Sequence, residues 1–363
     1  MIRLKSLIPL LLVVLTACVS QDRAVTFSAR HYKPTDEKIR ITGRVLHQDS
    51  VTLFWSASSI KMKFRGTTLK AQLRDEKGRN FFNIVIDGDS VRYVAIDSVK
   101  QFYTLASGLP DGEHTIELIK GTEWDRGKTW FYGVQIIDGE LVDLPRGNNR
   151  LIEFYGNSIT AGYAIDDITG GDSPDSSFTN NYFTYAALTA RHFDADYHCI
   201  VKSGIGITVS WFPLTMPEMY NRLDPADPSS KWDFSLRKPD IVVINLMQND
   251  SWLVKMPEHE SFKQRFGTTA PSAVAIKSAY AEFVRNIRTQ YPDAHIICAL
   301  GSMDATKPGS AWPGYVTEVV KAMNDEKIYT LFFPFTGKAG HPRRDDNEVM
   351  AGKLIELIET RIW

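Results

Sequence analysis

The stretch Leu151–Tyr163, LIEFYGNSITAGY, decides how this chain is read. An apolar, strand-forming run breaks at Gly156-Asn157, and Ser158 stands directly at the bend. Gly-Asn-Ser is ordinary turn chemistry, and a serine after a strand commonly caps the helix that follows. The same arrangement also holds a nucleophile at the top of a sheet. The rest of the chain separates the two readings.

Downstream of Leu151, apolar runs of parallel-strand type (RLIEFYG, YHCIVKS, DIVVINLM, AHIICALG, IYTLFFPF) alternate with helical stretches such as NYFTYAALTARHF and SAVAIKSAYAEFVRNIRTQYP. Continuous strands interleaved with helices predict an α/β domain whose parallel sheet is covered on both faces. Ligands of such sheets bind at the carboxyl ends of the strands, which is where Ser158 falls. The long loops DITGGDSPDSS and PLTMPEMYNRLDPADPSS are placed to frame a pocket. Upstream, from about Phe27 to Asp143, short alternating segments such as SIKMKFRGTTLKAQL, FFNIVIDGD and TWFYGVQIIDG are broken by Gly, Asp and Asn. That pattern predicts an all-β, jelly-roll-like sandwich. The grammar changes near LVDLPRGNNR, giving a sandwich over 24–145 and an α/β/α domain over 148–363. A length of 363 residues suits two such units.

The N-terminus has the layout of a signal peptide over residues 1–18: Arg3 and Lys5, the apolar run LIPLLLVVL, then LTAC. LTAC resembles a bacterial lipobox, which would make Cys18 the lipidated first residue of the mature protein and tether a soluble body to a membrane of the bacterial cell envelope. Secretory cleavage beside an incidental Cys18 is the alternative, and periplasmic or surface exposure stays open. Cys199 and Cys298 lie in apolar strands and are expected to be free and buried. No Cys/His cluster has zinc spacing, so neither metal nor cofactor is expected. A formal charge of −1 gives no electrostatic reason to expect nucleic acid.

Four constellations fall at strand ends: Gly156-Asn157-Ser158-Ile159-Thr160, Ser203-Gly204-Ile205-Gly206, Gln248-Asn249-Asp250 and Gly340-His341-Pro342. EFYGNSITAGY resembles the first block of the SGNH (GDSL-like) hydrolases. The resemblance implies Ser158 as nucleophile and His341 as base. It also implies an oxyanion hole from the N–H of Ser158, Gly204 or Gly206, and Asn249. With FRGTTL and GEHTIELIKGTEW in the preceding sandwich, the chain resembles carbohydrate esterase family 2, whose members remove acetyl groups from plant-type polysaccharides. The implied activity is a serine esterase acting on acetylated carbohydrate of the xylan or mannan type, through an acetyl-enzyme and without a cofactor. Asp250 is expected to anchor its loop. Trp252, Trp211, Trp312 and Trp124 are candidate sugar-stacking residues. His114, His192, His198 and His295 read as structural, and His259 as solvated.

Two positions depart from the resemblance. Lys338 stands where the superfamily often has an Asp three residues before the His, so a Ser158–His341 dyad with its imidazole oriented by a backbone carbonyl is expected. Asp345 and Asp346 are nearby substitutes whose positions favour solvation or helix capping. Met247 replaces a glycine two residues before Asn249 and is expected to narrow the pocket or shift the donor loop. These departures keep open a non-catalytic glycan-binding lipoprotein, and an esterase of other acyl substrates is a further alternative.

Overall fold

The computed structural model describes residues 28–145, 147 and 149–363; the signal-peptide segment and Cys18 lie outside the described residues. The N-terminal half consists of two six-stranded antiparallel sheets. One runs in the order Val45–His47, Val51–Leu53, Thr129–Ile137, Thr68–Asp75, Gln101–Ala106, with Ala29–Tyr32 added on Thr129–Ile137. The other runs Glu140–Val142, Ser59–Arg65, Glu113–Lys120, Asn80–Ile86, Ser90–Ile96, with Ile39–Thr42 added on Ser59–Arg65. The period of two in the sequence produces the sandwich. In Ser59–Arg65 the side chains of Ile60, Met62 and Phe64 are buried, while Lys61, Lys63 and Arg65 reach toward solvent. They meet Leu69, Ala71, Leu73, Phe131, Val134 and Ile136 of the facing sheet in one core. Each large apolar side chain so buried contributes about 1.5–3 kcal/mol.

The strands change character between Val142 and Leu151. The C-terminal half has a five-stranded parallel sheet in the order Asp196–Val201, Leu151–Gly156, Ile241–Asn245, His295–Leu300, Ile328–Phe332. Leu151–Gly156 and Ile241–Asn245 are buried along their whole length, which is why, Glu153 apart, they read as apolar runs. Alternate residues serve opposite faces: Tyr155, Val242, Ile244 and Ile296 pack with the helix Ala273–Gln290 and the helix Trp312–Met323. Ile152, Phe154, Val243 and Ile297 pack with Tyr185–His192 and Arg344–Arg361. Cys199 and Cys298 are free and buried, and burial pushes both thiols up to about 12. Among the described residues no helix is long and apolar enough to cross a membrane.

A buried ion pair joins the two halves. Arg44 of the sandwich, 1% exposed, reaches Glu153 in the parallel strand Leu151–Gly156 at 3.2 Å and donates to the Tyr155 hydroxyl at 2.8 Å. Glu153 also accepts from Tyr155 and Tyr291, and His198 Nδ1 lies 3.2 Å away. Burial by itself raises the Glu153 pKa, but Arg44 and then His198 outweigh it and bring it down to about 2. The carboxylate is thus a fixed anion to which the sandwich is anchored.

Candidate active site

The strand Leu151–Gly156 ends in a short helix, Ser158–Ala161. Asn157 caps it, its side-chain oxygen accepting the Ile159 N–H at 3.0 Å. Ser158 therefore opens the helical turn at the carboxyl edge of the sheet, with its N–H free of any acceptor among the described residues. The segment that follows Ile328–Phe332 returns to the same edge and carries His341, whose Nε2 lies 2.8 Å from Ser158 Oγ.

The imidazole is oriented by Asp172. His341 Nδ1 is 2.7 Å from Asp172 Oδ2, and the His341 backbone N–H donates to the same carboxylate at 3.0 and 3.1 Å. A carboxylate only accepts, so the ring proton sits on Nδ1 and leaves Nε2 to receive the serine proton. Arg343 donates to the other oxygen, Oδ1, at 2.9 Å. Burial raises the Asp172 pKa, but the His341 ring and backbone hydrogen bonds, the His341 charge and Arg343 together hold the carboxyl far below the usual carboxylate range. The expectation of a dyad held by a backbone carbonyl is thus corrected to a Ser158–His341–Asp172 chain. Asp172 comes from the DITGGDSPDSS loop, which Asp167 braces by accepting from Thr169 and from the Ser173 N–H. Close approach depends on Gly340: it has φ +87°, and a Cβ there would lie 2.8 Å from Asp172 Oδ1. Lys338 takes no part, since its ammonium holds Asp345 at 2.8 Å and Asp346 at 2.7 Å.

The second block runs beside the first, the Lys202 N–H donating to the Gly156 carbonyl at 3.3 Å. Gly204, at φ +82°, has an N–H that meets no acceptor among the described residues. Gly206 is excluded as a donor because its N–H is spent on Ser210 Oγ at 2.9 Å. Asn249, 3% exposed, gives one amide proton to the Ile205 carbonyl at 2.8 Å and keeps the second. Trp211 Nε1 donates to Asn249 Oδ1 at 3.0 Å, which fixes which way the amide faces. Asp250 anchors the loop, its buried carboxylate collecting the N–H groups of Ile207, Thr208 and Val209. Met247 does not narrow the pocket. It holds φ +74° itself and buries its side chain in the main core, 1% exposed.

The model of the carbohydrate esterase 2 N-terminal domain matches residues 41–145, and that of the GDSL-like lipase/acylhydrolase family matches residues 154–328. The solved structure of a family two carbohydrate esterase from Clostridium thermocellum, in complex with cellohexaose, is 31% identical; the alignment covers 89% of this chain and 99% of that one, with a TM-score of 0.79. The chain belongs to carbohydrate esterase family 2. It is also similar to the cellulase/esterase CelE of Acetivibrio thermocellus, 32% identical over 323 residues that make up 85% of this chain and 37% of that enzyme's length. An acetylxylan esterase / glucomannan deacetylase of Cellvibrio japonicus is 24% identical over 365 residues, covering 97% of both.

In this family 2 chain the four tryptophans have different surroundings. Trp211 is 41% exposed beside the second block. Trp252 lies one turn beyond Asn249, donates to Asp304 at 2.9 Å, and lines a cleft of about 540 Å³ with Lys255, Lys307 and Tyr315. Trp312 borders the same cleft but is 5% exposed and belongs to the core. Trp124, from the sandwich, is half-buried against that core, and its Nε1–H has no acceptor among the described residues. A separate cavity of about 420 Å³ sits between the two halves, at the amino ends of the parallel strands and away from Ser158. The other histidines are held elsewhere: His114 by Asp87, His192 by Glu359, His295 by Tyr329, while His259 caps the helix Glu260–Phe266 and packs edge-on against Trp211. Among the described residues no group of three or more His, Cys, Asp or Glu is gathered as metal ligands are.

Proposed function

We propose that the protein is a carbohydrate O-acetyl esterase that works through an acetyl-serine. His341 Nε2 takes the Ser158 proton as Oγ attacks the acetyl carbonyl. The oxyanion receives the N–H groups of Ser158 and Gly204 and the second amide proton of Asn249. His341 then returns the proton to the departing sugar oxygen, and the bond from carbonyl carbon to that oxygen breaks. In the second half His341 deprotonates a water, which displaces acetate from Ser158. Asp172 stabilises the imidazolium that appears twice in this cycle, and Arg343 keeps the carboxylate ionised.

The observation that carries the reading is the hydrogen-bonded chain from Ser158 Oγ through His341 to Asp172, at 2.8 and 2.7 Å, beside donors left without partners. The two features that favoured a binding protein lose their force: Lys338 pairs with Asp345 and Asp346, and Met247 lies in the core. Acetylated xylan or mannan is the proposed substrate, supported by family membership and by the names of the relatives. The proposed location is the bacterial cell envelope, by lipidation of Cys18, and rests on Arg3, Lys5 and LTAC. The test is acetate release from acetylated xylan and glucomannan by wild type, Ser158→Ala and His341→Ala. Release by the wild type that both substitutions abolish supports the reading. A folded wild type that frees no acetate from any ester contradicts it.

A further inference from the structure

Between the strands Glu113–Lys120 and Thr129–Ile137 the sandwich sends out the loop 121–128. Glu123, 1% exposed, reaches from it across the domain boundary. Its Oε2 accepts the Ser203 backbone N–H at 2.5 Å, and its Oε1 accepts the Ser203 hydroxyl at 2.5 Å. Next door, Lys202 lies 3.8 Å from Glu123 and 3.0 Å from Asp125. The loop that carries this carboxylate is tied to the sandwich frame. Lys120, buried beneath the loop, donates to the carbonyls of Thr122 and Glu123 at 3.2 and 3.1 Å. Ser56 also donates to the Thr122 carbonyl, and the Thr122 hydroxyl donates to Asn80 at 2.6 Å.

Ser203 immediately precedes Gly204. From Gly204 the hydrogen bonds continue: its carbonyl accepts the Trp211 N–H at 3.0 Å, and the Trp211 ring donates to Asn249. Glu123 thus stands at one end of a connected set that reaches both the Gly204 peptide and the Asn249 amide. A glycine at φ +82° has little intrinsic preference for that conformation, so its N–H direction depends on what holds the flanking peptide. Donors to an oxyanion work only when their direction is fixed beforehand.

We propose that Glu123 is a positioning residue of the esterase reaction, through which the β-sandwich sets the Ser203–Gly204 backbone so that the Gly204 N–H faces the oxyanion. The inference rests on the esterase reading above. It makes the sandwich part of the catalytic machinery.

The test compares wild type, Glu123→Gln, Ser203→Ala and the double variant of the full chain. The readouts are kcat and KM on 4-nitrophenyl acetate, thermal melting, and amide hydrogen exchange over residues 202–206. Losing one oxyanion donor outright costs about 10²–10³ in kcat, so a misdirected one is expected to cost about 10- to 100-fold. KM should stay within about twofold, because the interaction belongs to the transition state. The double variant should be no worse than the more affected single one, and Glu123→Gln should lose Ser203 amide protection without a general rise in exchange. Wild-type kcat in Glu123→Gln overturns the proposal, as does a parallel fall of kcat, melting temperature and protection throughout the chain. If Glu123→Gln does not fold, Ser203→Ala decides, since it removes the hydroxyl half of the Glu123 contact and leaves the carboxylate in place, and an unchanged kcat there is contrary. A wild type that releases no acetate overturns the esterase reading and the role built on it. An active wild type with unaffected variants overturns the role of Glu123 alone.

Discussion

Replacing Asp172 separates a triad from a dyad, and the two obvious substitutions should differ. In Asp172→Ala the imidazolium loses its counter-ion. Two unit charges about 4 Å apart attract by about 4 kcal/mol at an effective dielectric near 20. Arg343 already shares the carboxylate, and the side chain is 24% exposed, so we take roughly half. About 2 kcal/mol corresponds to a fall in kcat of about 30-fold. In Asp172→Asn the amide can donate to Nδ1, placing the ring proton on Nε2, where it blocks acceptance from Ser158. In a serine protease triad the equivalent change costs about 10⁴ in kcat, so Asp172→Asn should be the worse of the two, by about 10³ or more against wild type. The assay is kcat on 4-nitrophenyl acetate near neutral pH, with acetate release from acetylated xylan in parallel. If Asp172→Asn stays within about threefold of wild type, Asp172 does not orient the base and the account of His341 is wrong.

Lys338→Ala should leave kcat within about twofold, because an exposed ion pair contributes little and neither of its partners touches His341; a larger loss would place Lys338 in the reaction. Trp211→Phe should lower kcat about tenfold at nearly constant KM by releasing the Asn249 amide, whereas a rise in KM alone would make Trp211 a sugar platform. Arg44→Ala should destabilise the fold by about 3 kcal/mol by leaving Glu153 without its buried partner, read as the urea midpoint. The same pair sets an acid limit. The folded Glu153 pKa, about 2, lies below its ordinary 4.5, so its stabilisation is complete above about pH 4.5 and is lost as pH falls toward 2. Glu153→Gln should flatten that part of the stability profile.

The division into a sandwich and a parallel-sheet domain was legible because burial leaves its period in the sequence. Alternation in SIKMKFR and unbroken apolarity in IVVI, residues 241–244, correspond to one buried face and two. Ser158, His341 and Asn249 were legible from local blocks. Asp172 was not: it lies in a stretch with three other carboxylates, Asp166, Asp167 and Asp175, and the sequence has no period to say which one meets a residue 169 positions later. The only hint was Gly340 beside His341, where a side chain would collide with that carboxylate. Met247 misled for a related reason. A glycine is usual where φ is positive, but here methionine accepts the same backbone angle and gains core burial. Gly204 and Gly206 were indistinguishable until the Ser210 hydroxyl was seen to occupy one of them.

The central claim is a covalent acetyl-Ser158, and it is tested most directly by mixing the protein with excess 4-nitrophenyl acetate, quenching in acid on the millisecond scale and mapping the digest by mass spectrometry. The account predicts an acetyl group on the peptide containing Ser158, formed in the burst and absent from Ser158→Ala. Acetate production with no adduct on that peptide, or with the acetyl group on another residue, would contradict it.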